Sequence, residues 1–258
     1  MTLQGVLAPI PTPFQDEVLD LEALARNVTH WMGTELAGIV VLGTNGEAAH
    51  VDDAEADRLI AKTREITPAE RTLIAGTARE STRATIAATR RAGELGVDAV
   101  LVRTPSFFKS LMTSDALIDH FQAVADASSV PVLLYNIPQF TGLAIGPEVV
   151  GKLASHHNVV GMKDSSGNIG YLERVLGQTQ QEDFQVILGS AGILGPGLVL
   201  GIEAAILAIA CVLPELPLRL MKDFKAGIDL GSQQLQLARV ARCVTDDHGI
   251  PGLKYAMD

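Results

Sequence analysis

Three features of the sequence predict an α/β fold built from a repeated unit. The first is a series of eight short runs rich in valine, isoleucine and leucine: GVLAPI, GIVVLG, TLIAG, DAVLVR, PVLLYNIP, NVVGMKD, FQVILGS and AAILAIA. The second is the lack of polar alternation within these runs, which is typical of parallel strands covered on both faces. The third is a helical pattern between successive runs. Strands that alternate with helices in this way over about 210 residues favour a (β/α)8 barrel, the TIM barrel.

The stretches between the runs have a helical pattern and carry recognisable start signals. The helical stretches include DLEALARNVTHWM, DDAEADRLIAKTREI, STRATIAATRRAGELG, TSDALIDHFQAVADAS and GPEVVGKLASH. Asp20 and Ser81 stand where N-caps are expected, and Pro147 suits a first helical turn. After the eighth run, PELPLRLMKDFKAG and SQQLQLARVARCV predict further helices. We therefore predict a barrel over residues 1–213 and a C-terminal helical appendage over residues 214–258.

A doubly wound open sheet would also alternate strands with helices. Its dinucleotide-binding form needs a glycine-rich turn after the first strand, but the turn here reads PTPFQDE. The stretch GPGLVLG at residues 195–201 has a different glycine spacing and a helical apolar pattern, so we interpret it as packing. These observations favour the barrel.

Composition narrows the class of protein. The chain has 258 residues, of which 47% are hydrophobic, enough for a large core. The net charge is −10 and the basic residues are scattered, so we expect no nucleic-acid partner. Cys211 and Cys243 form no disulfide framework and indicate a reducing compartment. The start MTLQGVLAPI has no basic n-region, and no apolar stretch reaches the roughly 18 residues of a membrane span. We expect a cytoplasmic protein without a membrane partner.

The chemistry of such a barrel lies at the C-terminal ends of its strands, and a lysine ends the sixth run. Lys163 follows the apolar stretch VVGM and precedes Asp164. Burial disfavours the ammonium form of a lysine, and a neutral amine can form a Schiff base with a ketone, whose iminium then acts as an electron sink. An ion pair with Asp164 or another carboxylate is the structural alternative. From the position alone, both interpretations stay open.

Two other strand ends carry polar groups. GTNGE at residues 43–47 ends the second strand, and its backbone N–H groups can converge on an anion such as a carboxylate. The alternative is an ordinary turn between a strand and a helix. YNIP ends the fifth strand with Tyr135, whose hydroxyl can relay protons. The alternative is a half-buried tyrosine of the core.

Together, GTNGE, YNIPQFTG and GMKDSSGN resemble the motifs of the dihydrodipicolinate synthase and N-acetylneuraminate lyase family of pyruvate-dependent class I aldolases. The resemblance covers essentially the whole chain, in the same order. It implies a TIM barrel, usually a homotetramer, that acts on a 2-oxo acid without a metal or organic cofactor. It also implies Lys163 as the Schiff-base residue, Tyr135 as the proton relay, and Thr44 with Asn45 holding the pyruvate carboxylate. We add Thr44 to the catalytic residues.

Other positions show how far this resemblance extends. Gly189 and Ile206 match further pocket positions of the family. Phe140 stands where the synthase has an arginine that holds the aldehyde's carboxylate. Phe107 replaces a tyrosine that reaches a neighbouring subunit's active site in the synthase, and GSAG at residues 189–192 replaces the acidic, sugar-binding residues of the lyase.

The stretches ESTRAT, NVVGMKDSSG, DFQVILGSAG and GIPGLKYAMD resemble 4-hydroxy-2-oxoglutarate aldolases of the same family. We therefore predict cleavage of 4-hydroxy-2-oxoglutarate to pyruvate and glyoxylate. The alternatives are a 4-hydroxy-tetrahydrodipicolinate synthase, a 2-keto-3-deoxy sugar acid aldolase or dehydratase, and a catalytically impaired barrel that binds a 2-oxo acid. By this resemblance the chain is short, because family members usually continue for about one more helical element beyond GIPGLKYAMD.

A dicarboxylate substrate needs a second cationic partner. The basic residues at the strand ends are Arg79, Arg103 and Lys109. Arg79 is the first choice because its loop neighbours GTNGE in barrel order, with Ser106 or Ser190 assisting. Each of the three cations also fits a solvated position at the rim.

Overall fold

The computed structural model describes residues 2–258 and contains a closed barrel of parallel strands. The strands are β1 (Gly5–Pro9), β2 (Gly38–Val41), β3 (Thr72–Gly76), β4 (Ala99–Arg103), β5 (Val132–Asn136), β6 (Val159–Asp164), β7 (Gln185–Leu188) and β8 (Ala204–Ile206). Each strand pairs with the next, and β8 pairs with β1 to close the ring. The predicted (β/α)8 fold is confirmed.

Helices cover the outside of the barrel. They are α1 (Leu21–Met32), α2 (Asp53–Ile66), α3 (Thr82–Glu94), α4 (Ser114–Ala127), α5 (Pro147–Ala154), α6 (Ile169–Thr179), α7 (Leu194–Val199) and α8 (Glu215–Lys225). Asp20 and Ser81 cap α1 and α3 by accepting from the backbone N–H groups of Ala23 and Ala84. No helix within residues 2–258 has both the length and the apolar character needed to cross a membrane.

The C-terminal helices differ in their relation to the barrel. Helix α8 packs beside α7 and β1, so it completes the ring of barrel helices. Two helices follow it, α9 (Gly231–Ala241) and α10 (Gly249–Met257), and a π-helical turn, Arg242–Asp246, extends the end of α9. The division of the chain at residue 213 stays a prediction.

The barrel wall separates two apolar clusters. Successive side chains of a strand point to opposite faces, so one set fills the barrel and the other meets the helices. The inner cluster is small and the outer cluster is much larger. Members of the inner cluster include Leu7, Val40, Ile74, Leu101, Leu133, Tyr135 and Ile187. Because Lys163 pairs in register with Tyr135 and Ile187, its side chain belongs to the inner face.

Hydrogen bonds between distant segments close the seam of the barrel. The Trp31 indole N–H on α1 donates to the Cys211 carbonyl after β8 at 3.0 Å. The Cys211 thiol donates to the Pro9 carbonyl at 3.4 Å. The Leu3 N–H donates to the Gln185 side chain at 2.8 Å. These contacts tie the beginning of the chain to β7 and to the segment after β8.

Candidate active site

A cavity opens at the C-terminal ends of the strands, where the sequence predicts the chemistry. It is lined by residues from six of the strand ends and from the C-terminal helices: Pro9, Thr44, Asn45, Tyr135, Ile137, Gln139, Phe140, Lys163, Ser165, Gly189, Ile206, Ala208, Thr245, Asp246, Gly249, Ile250 and Leu253. The structure thus brings the predicted residues Thr44, Asn45, Tyr135, Lys163, Gly189 and Ile206 together in one cavity.

Lys163 lies at the bottom of this cavity and is only 4% exposed. It forms no ion pair with a carboxylate of residues 2–258. Asp164 points to the outer face of the barrel, where it accepts hydrogen bonds from Asn136 at 2.6 Å and Ser166 at 2.7 Å. The alternative of a Lys163–Asp164 ion pair is therefore wrong, and the Lys163 amine faces the cavity.

Burial shifts the acidity of two groups next to Lys163. It raises the pKa of the Asp164 carboxyl, while the hydrogen bonds from Asn136 and Ser166 act in the opposite direction. Burial also raises the pKa of the Cys211 thiol, against the charge of Lys163. Cys211 therefore stays a neutral thiol and does not supply a counter-ion to the lysine.

Three functional groups form a chain across the cavity. The Lys163 Nζ lies 3.4 Å from the Tyr135 hydroxyl and 4.5 Å from the centre of its ring. The Tyr135 hydroxyl lies 3.3 Å from the Thr44 hydroxyl. These distances are long for hydrogen bonds, as is common in catalytic sites before a ligand binds. A proton can pass along this chain between the amine and the loop after β2.

The GTNGE turn holds Thr44 and Asn45 in a constrained backbone. Leu42, just before the turn, and Glu47, its last residue, have φ values of 56° and 53°, in the left-handed region. The Asn45 amide donates to the Pro9 carbonyl at 3.4 Å, and the buried Thr12 hydroxyl donates to the Gly46 carbonyl at 2.6 Å. The turn is therefore anchored to the end of β1 and presents Thr44 and Asn45 to the cavity.

Gly189 is in close contact with the candidate nucleophile. A Cβ atom at this position would lie 3.0 Å from the Lys163 Cε and 2.8 Å from the Asp164 carbonyl. The same Cβ atom would lie 2.2 Å from the Ser165 Oγ, so only a glycine fits between Ser165 and the Lys163 side chain. Ile206, at the end of β8, contributes an apolar wall and is 1% exposed.

Two of the predicted substrate-binding residues do not line the cavity. The Arg79 guanidinium binds Asp53 at the start of α2, with an Nη2–Oδ1 distance of 2.7 Å. The Ser190 hydroxyl lies between Gly167 and Gly192, in the loop after β7. The expected contact of Arg79 with a substrate carboxylate therefore has no support in this geometry, because a carboxylate of the protein already occupies the guanidinium.

The other candidate cations also lie outside the cavity lining. Arg103 pairs with Glu80 at 3.0 Å, and Glu80 also accepts from the Ser106 and Phe107 backbone N–H groups. Lys109 lies beside Gly142. Arg103 thus stabilises the loop after β4 instead of facing a ligand.

The two phenylalanines that depart from the family pattern occupy different places. Phe140 lines the cavity, although its side chain is 68% exposed. Phe107 is 77% exposed and contacts Phe108 edge to face, with ring centres 4.9 Å apart. Phe107 does not line the cavity of its own chain.

Sequence reasoning missed the C-terminal side of the cavity. Thr245 and Asp246 on the π-helical turn, and Gly249, Ile250 and Leu253 on α10, all line it. The apolar patterns of this segment predicted only a helical appendage. The Gln139 side chain was also missed; its amide donates to the Ser165 carbonyl at 2.8 Å. Within residues 2–258, no group of three or more His, Cys, Asp or Glu side chains could hold a metal ion.

The fold and the cavity together define a barrel enzyme with a buried amine at the end of β6. The model of the dihydrodipicolinate synthetase family matches residues 2–257. The chain belongs to this family, as the motifs predicted. Members of the family are pyruvate-dependent lyases of the class I type, and the protein is accordingly a carbon–carbon lyase of that class.

Proteins similar to this chain are named after different activities of the family. A probable mitochondrial 4-hydroxy-2-oxoglutarate aldolase of Emericella nidulans is 37% identical over 92% of this chain and 78% of its own. A 4-hydroxy-tetrahydrodipicolinate synthase of Methanococcoides burtonii is 33% identical over 99% of this chain and 87% of its own. The dihydrodipicolinate synthase of Acinetobacter baumannii, solved in complex with pyruvate, superimposes with a TM-score of 0.88 at 27% identity, covering 94% of this chain and 84% of that one.

Proposed function

We propose that the protein is a Schiff-base aldolase that makes or cleaves a 4-hydroxy-2-oxo acid, with pyruvate as one product or substrate. The observation that carries this proposal is the Lys163 amine. It is buried and unpaired with any carboxylate of residues 2–258, and it lies 3.4 Å from the Tyr135 hydroxyl. A buried amine beside a proton-transfer group is the arrangement that covalent catalysis on a ketone requires.

The covalent step follows from this arrangement. The Lys163 Nζ attacks the C2 carbonyl carbon of the substrate, and loss of water gives an iminium. Tyr135 gives its hydroxyl proton to the water that leaves when the iminium forms, so in the cleavage direction it can take up the proton of the C4 hydroxyl. The electron pair of the C3–C4 bond then moves into the iminium to leave an enamine and a free aldehyde. Tyr135 returns the proton to C3 of the enamine, and hydrolysis of the resulting iminium, with a proton of the attacking water going back to Tyr135, releases pyruvate and the amine. Condensation is the reverse sequence.

The remaining residues position the 2-oxo acid. Thr44 and Asn45, at the GTNGE turn, are the proposed partners of the carboxylate next to the C2 carbonyl. Thr44 also contacts the Tyr135 hydroxyl, so carboxylate binding and proton transfer involve one connected group of side chains. Gly189 leaves room beside Lys163, and Ile206 excludes water from that side. The reaction requires no metal or organic cofactor, because the iminium itself accepts the electron pair.

The identity of the aldehyde is the finer part of the proposal. The name of the Emericella nidulans relative favours glyoxylate, the product of 4-hydroxy-2-oxoglutarate, whereas the synthase names favour a condensation. Phe140 replaces the arginine that holds the aldehyde's carboxylate in the synthase, and this replacement disfavours synthase activity. Glyoxylate as the partner stays a prediction, because Arg79 and Arg103, expected to hold its carboxylate, bind carboxylates of the protein instead. Assembly as a homotetramer also stays a prediction.

Borohydride reduction in the presence of pyruvate tests the covalent step. The parent protein should gain the mass of one reduced pyruvyl group, mapped to Lys163 by peptide mass spectrometry. Lys163→Ala should gain none and should lose aldol activity, and the exposed Lys152→Ala should behave as the parent. An unchanged mass of the parent, together with equal pyruvate binding by Lys163→Ala, would show that the covalent mechanism is wrong. An adduct without turnover of any 4-hydroxy-2-oxo acid would favour the impaired barrel.

A further inference from the structure

The rim of the cavity comes from the end of the chain. The π-helical turn Arg242–Asp246 presents Thr245 and Asp246 to the cavity. A π-turn inserts an extra residue into a helix and is frequent at functional sites. Leu253 of α10 is 1% exposed and anchors the same segment in the core.

Contacts to the loops after β1 and β2 hold this rim in place. Lys254 of α10 forms an ion pair with Glu47, the last residue of GTNGE. The Lys254 Nζ also lies 5.0 Å from the centre of the Phe14 ring, in the loop after β1. The rim is thereby tied to the turn that presents Thr44 and Asn45, so its side chains have a defined position relative to the bound 2-oxo acid.

The charges of the cavity do not suit a second carboxylate. Besides Lys163, Asp246 is the one charged residue among the described residues that line the cavity. A substrate carboxylate at the far end would therefore meet a like charge and no cation. Because Asp246 is exposed to solvent, an effective dielectric constant of about 40–80 applies, and two like charges about 5–6 Å apart then weaken binding roughly 3- to 15-fold.

The polar groups of the rim are mostly hydrogen-bond acceptors. The Asp246 carboxylate only accepts. The Thr245 hydroxyl proton goes to the Ala241 carbonyl at 2.8 Å or to the Asp246 carboxylate at 3.1 Å. The Gln139 amide donates one of its two N–H groups to the Ser165 carbonyl, which leaves one N–H donor and the amide oxygen as an acceptor. A ligand that matches this rim must supply donors, and hydroxyl groups do so without adding charge.

We propose that the aldehyde handled by this site is uncharged and hydroxylated, and that Asp246 with Thr245 on the π-helical turn selects it. The inference rests on the proposed aldolase reaction and names the class of its second substrate. The 4-hydroxy-2-oxo acid would then carry further hydroxyl groups beyond C4, with Asp246 accepting a hydrogen bond from one of them.

Initial rates of aldol condensation test the proposal. Pyruvate is combined with glyceraldehyde, which is uncharged and hydroxylated, or with glyoxylate, which carries a carboxylate. The parent should show the higher kcat/KM with glyceraldehyde. Asp246→Asn should lower that value and raise the value for glyoxylate, so that the ratio of the two falls roughly 3- to 15-fold. Most of the change should be in the KM of the aldehyde. Asp247→Asn is the matched control, because Asp247 is exposed like Asp246 but does not line the cavity, and it should leave the ratio unchanged.

Pyruvate trapping by borohydride is measured in parallel for every variant. Equal trapping in parent and variants is expected, since Asp246 lies at the rim and Lys163 at the bottom. A parent that prefers glyoxylate would overturn the proposal, and so would a ratio that Asp246→Asn leaves unchanged. In either case trapped pyruvate would leave the aldolase mechanism intact, whereas a parent that traps no pyruvate would refute that mechanism first. The comparison of the two aldehydes in the parent protein does not depend on the folding of any variant.

Discussion

The inner and outer faces of β5 and β6 contain neighbouring residues with opposite roles. On the inner face, Tyr135 and Lys163 contact each other at 3.4 Å and border an open cavity. On the outer face, Asn136 and Asp164 contact each other at 2.6 Å and are fully buried. Tyr135 and Lys163 thus remain available to a ligand, whereas Asn136 and Asp164 bind each other inside the protein. Adjacent residues of the same strand therefore serve the reaction and the stability of the fold, respectively.

The largest effect is expected from the inner face. Tyr135→Phe removes the hydroxyl between Lys163 and Thr44, so the turnover rate should fall by about 10²–10⁴-fold, as for a lost proton-transfer group. Pyruvate trapping by borohydride should change little, because the lysine remains. The measurement is kcat with a 4-hydroxy-2-oxo acid. Near-parental turnover would mean that the proton passes through water or another hydroxyl, and the comparison of the two faces would lose its main support.

A smaller effect is expected when the lysine is displaced but kept. Gly189→Ala places a methyl group 2.2 Å from the Ser165 Oγ, 2.8 Å from the Asp164 carbonyl and 3.0 Å from the Lys163 Cε, so these neighbours must shift. A displacement of the amine by about 1 Å should lower kcat/KM by about 10²-fold. Gly177→Ala is the matched control, because it lies exposed in α6 with no atom within 4 Å of the new Cβ. The control should keep full activity and gain about 0.5–1 kcal/mol of stability. Equal activity of both variants would show that the contact at Gly189 is unimportant.

The outer face should respond in stability and not in rate. Asn136→Ala leaves the Asp164 carboxylate without its partner at 2.6 Å and the Ile145 N–H without its acceptor at 3.0 Å. The free energy of unfolding should fall by about 1–3 kcal/mol, measured by urea denaturation. Asp164→Asn should cost less, because its amide oxygen can still accept from Asn136. If Asn136→Ala were as stable as the parent, or if the folded variant lost turnover as Tyr135→Phe does, the two faces would not be distinct.

The sequence predicted the parts of the molecule that depend on local patterns. Apolar runs, caps such as Asp20 and Ser81, and the rule that barrel chemistry lies at strand ends were enough to place Lys163, Tyr135 and Thr44 in one cavity. Alternation along β6 explains why Lys163 and Asp164 separate, but the sequence alone did not say which of them faces inward.

The contacts that sequence reasoning missed join segments far apart in the chain. Arg79 pairs with Asp53, and Lys254, near the end of the sequence, pairs with Glu47. No short motif marks either pair. The position of Asp246 at the rim depends in the same way on how the last helices pack. The sequence identified the cations at the strand ends, but it carried no signal that Arg79 and Arg103 pair with Asp53 and Glu80.

The seam where the first and last strands of the barrel meet contains a fluorescent side chain. Trp31 is the single tryptophan of the chain, it is 1% exposed, and its indole donates to the Cys211 carbonyl. Its fluorescence emission therefore depends on the contact between the first helix and the segment that follows the last strand. Opening of the barrel would expose the indole and shift this emission to longer wavelength. The protein thus carries a natural fluorophore that reports loss of the fold at this seam.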